Sequence, residues 1–116
     1  MTKKRVILEM GAGNDLQGGD YTKAACRAVQ DALHHSSLTM IRTLDVGTED
    51  MYVDVTIGVQ MPDKVDKAVV QAVLPHGTVS VDVVKGGLDV PDEALGDLAV
   101  IASAALSVCL DLPDRS

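Results

Sequence analysis

The segment of this sequence whose residues are best suited to binding or catalysis is residues 11–20, Gly-Ala-Gly-Asn-Asp-Leu-Gln-Gly-Gly-Asp. It lies between an apolar run, Val6–Leu8, and an alanine-rich stretch whose apolar residues have helical spacing. Glycine permits positive φ angles and close approach of two backbones. Such a segment therefore serves either tight packing or ligand binding, and its aspartates make any site here acidic.

Three oxygen-bearing side chains of this segment suit a hard divalent cation. Asp15 and Gln17 are two residues apart, so they point to one side of an extended chain, and Asp20 follows closely. Carboxylate and amide oxygens are ligands of Mg²⁺ and Ca²⁺. A divalent metal is therefore a candidate cofactor of unknown identity. In the alternative interpretation, Asp15 bonds loop amides and Asp20 caps the following helix.

Other charged residues extend the candidate site. Glu9 interrupts an apolar strand and would serve as a base if it faced inward. Lys23 opens a helix, where the dipole disfavours a cation, so a pairing with Asp15, Asp20 or a bound anion would explain it. The amides at that helix N-terminus could themselves hold an anion. We predict Asp15 and Glu9 as catalytic residues, and as binding residues Gly11, Gly13, Gln17, Asp20, Lys23 and Lys85.

The glycine spacing does not fit the common nucleotide-binding fingerprints. A dinucleotide-binding loop needs a third glycine where Leu16 stands. A phosphate-binding loop needs Lys followed by Ser or Thr, where this chain has Gly19 and Asp20. We therefore expect no nucleotide site of either type.

Composition narrows the class of protein. The 116 residues fit a single domain covering residues 1–116. A formal net charge of −7 argues against nucleic acid and against anionic membrane as partners, because Lys and Arg provide binding to both. Cys26 and Cys109 form no CxxC motif and are expected to be reduced thiols. With no secretory leader before the first strand, we predict a cytoplasmic protein.

Hydrophobic periodicity predicts the element order β-α-β-β-α-β-α. The predicted strands are Lys4–Met10, Leu38–Leu44, Met51–Met61 and Val79–Val83, and the predicted helices start near Asp20, Asp63 and Asp92. This order is typical of an α+β two-layer sandwich. We expect four strands in a mainly antiparallel sheet, with the second and third strands in a hairpin and the helices on one face.

The third predicted strand has the clearest pattern. Apolar residues alternate strictly with polar ones, which predicts that Val55 and Ile57 are buried under a helix. Asp54 and Thr56 are then on the opposite face, which must contact water or a partner.

The run Leu98–Leu110 contains no charge and only two serines. We interpret it as part of a third helix that continues to about Val108 or beyond. In the alternative interpretation, Val108–Leu112 form a short strand. It is shorter than the roughly 20 residues that a bilayer span requires. A helix that is apolar all round is buried on all sides, which one small subunit cannot easily achieve. We therefore predict a homo-oligomer, either a trimer or a multiple of dimers.

The residues Glu9–Gly18, together with Asp20 and Thr22–Ala25, resemble an uncharacterised family of small conserved hypothetical proteins. That family has an N-terminal Gly-x-Gly-x-Asp-x-His-Gly signature, and the resemblance covers nearly the whole chain. Here Gln17 stands in place of the histidine, which bears on any metal-binding or proton-transfer role of that histidine. The family has no established activity, so the resemblance implies no function.

A more limited similarity is to methylerythritol cyclodiphosphate synthase. The strand Val53–Ile57, with Gln60 to Pro62 after it, is similar to a strand of that enzyme. The resemblance implies a trimer with sites between subunits. The metal-binding histidine of the enzyme is absent here, and the chain is shorter.

Two functions are consistent with these features. The first is a homo-oligomeric enzyme acting on a small acidic metabolite at an inter-subunit site formed by residues 11–20. The second is a non-catalytic small-molecule-binding or assembly protein. A bound metal or metabolite would favour the first function. A closed loop whose carboxylates bond only backbone amides would favour the second.

Overall fold

The computed structural model describes residues 2–34, 51–74 and 77–112. Its helices and strands, in chain order, are β1 Thr2–Asp15, α1 Tyr21–His34, β2 Met51–Val59, α2 Lys67–Gln71, β3 Thr78–Lys85, β4 Leu88–Asp92 and β5 Asp97–Leu112. A short 3-10 turn, Pro62–Lys64, precedes α2. The predicted strand Leu38–Leu44 lies outside the described residues. None of the described helices has the length and apolarity that a bilayer crossing requires.

The five strands form one sheet in the order β1-β5-β2-β3, with β4 also paired to β5. Among the strand pairs in the described part of the chain, β2–β3 is the parallel one and the others are antiparallel. Along one edge of β5, β2 pairs with residues 103–110 and β4 with residues 97–101, so these two strands lie end to end. The predicted α+β class is confirmed, whereas the prediction of four strands and of their order is wrong.

The predicted third helix is wrong, because its residues form the central strand β5. β5 has β1 on one edge and β2 with β4 on the other, and its even-numbered residues from Val100 to Leu110 are buried. A strand surrounded in this way has an almost continuous apolar sequence. Small residues on its second face, mainly Ala and Ser, conceal the alternation that would otherwise identify a strand.

The sheet has an inner and an outer face. Both helices contact each other and share one hydrophobic core with the inner face, which includes the even-numbered residues of β5. The outer face is formed by the odd-numbered residues Ala99–Ser107 and by the residues paired with them on neighbouring strands, because directly opposed residues point to the same side.

β1 is longer than predicted and includes half of the glycine-rich segment. Gly11 and Gly13 are strand residues directly beneath α1. A Cβ atom on Gly13 would lie 2.6 Å from the carbonyl oxygen of Ala24 and would also clash with backbone atoms of Arg27 and Ala28. The two glycines therefore let the helix and the strand approach closely.

The apolar stripe predicted for α1 is confirmed over its first three turns. The alanines and Val29 on this side are fully buried, and Tyr21 is 4% exposed. The Asp20 Oδ1 atom accepts a hydrogen bond from the Lys23 amide at 3.0 Å, which is the predicted N-cap. Small alanine side chains bring the helix axis close to the sheet.

The second helix is shorter than predicted and starts later. Asp66, and not Asp63, caps it, since the Asp66 side chain accepts a hydrogen bond from the Ala68 amide. The buried residues around it are Val65, Val70 and Leu74. The helical spacing of the sequence predicts an apolar stripe formed by Val65, Ala68, Val69, Ala72 and Val73. This stripe is wrong at Ala68, Val69 and Ala72, which are exposed. Pro62 opens a separate 3-10 turn, so the helix begins later than predicted.

The predicted faces of β2 are confirmed. Val55 and Ile57 are 1% and 0% exposed, whereas Thr56 is exposed and Asp54 is half-buried. Both edges of β2 are occupied, by β3 and by β5. The other strand of the predicted hairpin, Leu38–Leu44, lies outside the described residues.

Candidate functional site

Asp15, the predicted catalytic residue, ends β1 and is 5% exposed. Its Oδ2 atom accepts a hydrogen bond from the Asp20 amide at 2.9 Å. Its Oδ1 atom is 3.9 Å from the Lys23 ammonium and 3.7 Å from the Arg27 guanidinium, which also donates to the Asn14 carbonyl. A buried carboxylate needs such partners. These contacts close the loop between β1 and α1.

The amides predicted to hold an anion are bonded to carboxylates of the chain itself. The Gly18 amide donates to Asp97 at 2.8 Å, and the Asp20 amide donates to Asp15. The Lys23 amide, in the first turn of the helix, donates to Asp20. An external anion would have to displace these carboxylates, and it would also meet their negative charge.

Asp97 is a site residue that the sequence did not reveal. Its Oδ1 atom accepts hydrogen bonds from the amides of Gly18 and Leu98, and these bonds hold the pKa of the Asp97 carboxyl below its usual value. Asp97 therefore fixes the loop after β1 to the start of β5. Treating residues 98–110 as a helix left no means of placing Asp97 beside Gly18.

A second unforeseen contact fixes the start of α1 to β4. The Tyr21 hydroxyl donates a 2.5 Å hydrogen bond to Asp89 Oδ2. This bond, together with burial and the charge of Asp89, raises the pKa of Tyr21 to about 12, so the phenol stays protonated at neutral pH. The other oxygen, Asp89 Oδ1, is buried and has no hydrogen-bond partner among the described residues.

Gln17, a predicted binding residue, lies in an open cleft of about 420 Å³. The cleft lies between the loop after β1 and the β4–β5 turn. Its walls combine apolar side chains with three carboxylates, and they include Leu16, Gln17, Val90, Asp92, Glu93 and Asp97. This acidic lining does not suit the predicted acidic metabolite.

The remaining predicted residues are dispersed. Glu9 lies on β1 six residues before Asp15, which corresponds to about 20 Å along a strand. Lys85 is exposed at the end of β3, and β2 and β5 lie between it and β1. The structure therefore does not bring Glu9 or Lys85 together with Asp15. It does bring Lys23 to Asp15, one of the three partners that the sequence allowed for this lysine.

Metal binding has no ready ligand set in the described part of the chain. Among residues 2–34, 51–74 and 77–112, no three His, Cys, Asp or Glu side chains are grouped so that they could hold a metal ion. The predicted ligands Asp15 and Asp20 bond backbone amides instead.

Comparison with known proteins identifies the family. A family model of conserved hypothetical proteins matches residues 5–108. The chain belongs to this family, Lin0512_fam. It is also similar to the crystal structure of an FtsZ-like protein of unknown function from Nostoc punctiforme. The two chains are 36% identical, the match covers 97% of this chain and 99% of the other, and the TM-score is 0.81.

Curated proteins provide no match to this sequence. The predicted membership of a conserved hypothetical family is confirmed. The resemblance to methylerythritol cyclodiphosphate synthase, and the trimer that it implies, stay predictions.

We expect Asp15→Asn to destabilise this Lin0512_fam member by about 1–3 kcal/mol, because the buried carboxylate loses its charge opposite Lys23 and Arg27. Urea unfolding measures the loss. The matched control is Asp63→Asn, at an exposed position, which should change stability by less than about 0.5 kcal/mol.

The same pair of variants tests a functional role of Asp15. Thermal denaturation is measured with divalent metals and with phosphorylated or carboxylated metabolites. If Asp15 only closes the loop, we expect no ligand to raise the wild-type melting temperature by an amount that is lost in Asp15→Asn. A ligand-induced shift that disappears in a normally stable Asp15→Asn protein would instead assign Asp15 to a binding or catalytic site.

Proposed function

We propose that this protein is a non-catalytic assembly protein that self-associates through the outer face of its sheet. The observation that carries the proposal is the set of exposed apolar side chains on that face. We further propose a cytoplasmic location, which is supported by the free state of both Cys26 and Cys109. We transfer no activity from the FtsZ-like relative, which is described as a protein of unknown function.

The contacts of the loop after β1 support a structural role for it. Its carboxylates, Asp15 and Asp20, accept hydrogen bonds from backbone amides, and Asp97 approaches from β5 to bond the Gly18 amide. A general base or a metal ligand needs a lone pair directed at substrate or metal. The geometry therefore favours a closed packing loop over the catalytic alternative that the sequence allows.

The outer face carries much of the exposed apolar surface. Met10 is 71% exposed and is opposite Ala105 on β5, and Leu8 is 51% exposed and is opposite Ser107. Three further apolar side chains that are 43–58% exposed share this face, namely Val84, Leu88 and Val90. Large contiguous apolar patches on a soluble protein mark interaction surfaces.

The dimensions of this face suit a stable dimer. The β1–β5 pairing covers Thr2–Asp15, and 14 residues of strand extend about 46 Å. Three to four strands at about 4.8 Å spacing add a width of roughly 14–19 Å. The face is thus roughly 700 Å² in projection, close to the about 800 Å² that each partner contributes to a standard interface.

Sedimentation or light scattering at micromolar concentration tests the proposal. We expect a closed oligomer for the wild type and at least about tenfold weaker association for Met10→Asp, because a charge would enter the apolar contact. The Met10→Asp chain should keep its circular dichroism spectrum, since this side chain is outside the core.

Val69→Asp provides the matched control. Val69 is also an exposed apolar residue, at 47%, but it lies on α2 in the helix layer. We expect it to leave association unchanged. A monomeric wild type would exclude self-assembly, and equal effects of Met10→Asp and Val69→Asp would exclude the outer face as the contact surface.

A further inference from the structure

We infer that two copies of this chain pair outer face to outer face with their strands reversed, so that Arg5 of each copy contacts Glu93 of the other. This inference rests on the proposed self-association and specifies its geometry. The arrangement has two-fold symmetry, so each contact occurs twice, as in most homodimers.

Among the described residues, two charged groups at opposite ends of the face have no oppositely charged partner. The described contact of Arg5 is a 2.8 Å hydrogen bond from its Nε atom to the neutral hydroxyl of Ser107, which holds the guanidinium over β5. Glu93 is exposed and makes no hydrogen bond or ion pair within the described residues. Each charge is thus available to the other across an interface.

The other charged groups at the Arg5 end are largely matched within the chain. The Lys3 ammonium is 3.8 Å from Asp54 and 4.7 Å from the centre of the Tyr52 ring. The Tyr52 hydroxyl donates to Asp111 at 2.8 Å. These internal pairs leave Arg5 as the cation most able to bind a partner.

The opposite end of the face is acidic. Glu93 lies in the turn between β4 and β5. Asp92 and Asp97, which flank this turn, are paired across the two strands. All three carboxylates border the cleft. A parallel arrangement of the two copies would bring these acidic ends together, whereas reversed strands bring each acidic end to Arg5. Like charges across an interface destabilise it and opposite charges select its orientation.

The apolar side chains agree with the same arrangement. Positions along the face can be counted on β5. Arg5 is opposite Cys109, and Glu93 lies just beyond the level of Asp97. The midpoint between these two levels is Ser103. We place a two-fold axis at Ser103, perpendicular to the strands, so that it exchanges rows of paired residues on either side. The row of Met10 and Ala105 is two residues from the axis on one side, and the row containing Ile101 is two residues from it on the other.

In this register Met10 lies over Asn14 of the second copy, one strand spacing (about 4.8 Å) from Ile101, because reversing the strands about Ser103 keeps β1 over β1 and β5 over β5. Leu88 is opposite Ile101 on β4 and is 58% exposed. The Met10 side chain therefore lies beside the apolar row that Ile101 and Leu88 form on the partner.

A charge-swap experiment tests this geometry by sedimentation velocity. We expect Arg5→Glu and Glu93→Arg each to weaken association at least about tenfold, because each homodimer then contains two like-charge pairs. A mixture of the two variants should associate to within about threefold of the wild type, since both pairs in the mixed dimer are again opposite. Far-ultraviolet circular dichroism confirms that each chain is folded.

The outcomes separate this inference from the proposed function. A monomeric wild type would overturn both. A wild-type dimer that neither variant weakens, or that the mixture does not restore, would overturn the Arg5–Glu93 geometry and leave self-association intact. Weak association of each variant alone, with association of the mixture close to that of the wild type, would support the Arg5–Glu93 geometry.

Cysteine cross-linking decides the geometry independently of the charged variants. Ser103→Cys places a thiol at the axis, close to its copy in the partner. Ala99→Cys places one four residues away, so that the two copies are about 26 Å apart. We expect an oxidised dimer for Ser103→Cys and little for Ala99→Cys. Efficient cross-linking of Ala99→Cys would overturn the reversed arrangement.

Discussion

Gly13→Ala is expected to destabilise the protein by about 3 kcal/mol or more, at the upper end of overpacking effects or beyond. The added methyl group would meet backbone atoms of Ala24, Arg27 and Ala28 and no flexible side chain. Relief would therefore require α1 to move away from β1, which would open the core beneath the buried alanines. Denaturant unfolding of the variant at fixed protein concentration measures the loss.

Gly96→Ala provides the control for this experiment. A methyl group on Gly96 would meet no atom within 4 Å, but the residue has a φ of +63°. The expected loss is therefore only the roughly 1–2 kcal/mol that a left-handed conformation imposes on an L residue. If Gly13→Ala were no more destabilising than Gly96→Ala, the close helix–strand contact would be refuted.

The glycine-rich segment illustrates what a sequence leaves open. Its composition predicted either tight packing or ligand binding, and the structure places Gly11 and Gly13 in a strand against α1. Composition could not decide, because the same lack of a Cβ atom serves both purposes. The choice depends on where the helix lies, and the neighbouring alanines are the local signal for a close helix.

The largest error concerned β5, and it affected the candidate site directly. Residues 98–110 are apolar and rich in alanine, which favours a helix, although Val100, Ile101 and Val108 favour a strand. Both edges and one face of β5 are covered by the protein, so polar residues did not reveal its period. With a helix there, Asp97 could not be placed beside Gly18.

Local contacts at the site were predictable, whereas distant ones were not. The Asp20 cap was predicted, and Asp15 was one of three partners that the sequence allowed for Lys23. Both contacts join residues that are close in sequence. The bond from Tyr21 to Asp89 joins residues far apart in sequence. Such contacts depend on the order of the strands in the sheet, which the hydrophobic periodicity of the sequence does not specify.

Ile57→Ala is expected to destabilise the protein by about 2–5 kcal/mol through lost burial and the cavity that remains. Ile57 is 0% exposed and lies between Val83 on β3 and Ala104 on β5, so few neighbours can collapse into the space. The same denaturant measurement applies, at equal protein concentration because self-association adds to apparent stability.

The next residue supplies the comparison for Ile57→Ala. Thr56 is exposed on the outer face, so Thr56→Ala should change stability by less than about 0.5 kcal/mol. Alternation along a strand requires this contrast, since adjacent residues point to opposite faces. If Thr56→Ala were the more destabilising of the two substitutions, the core would lie on the other face of β2, and the surface assigned to self-association would be buried within the subunit.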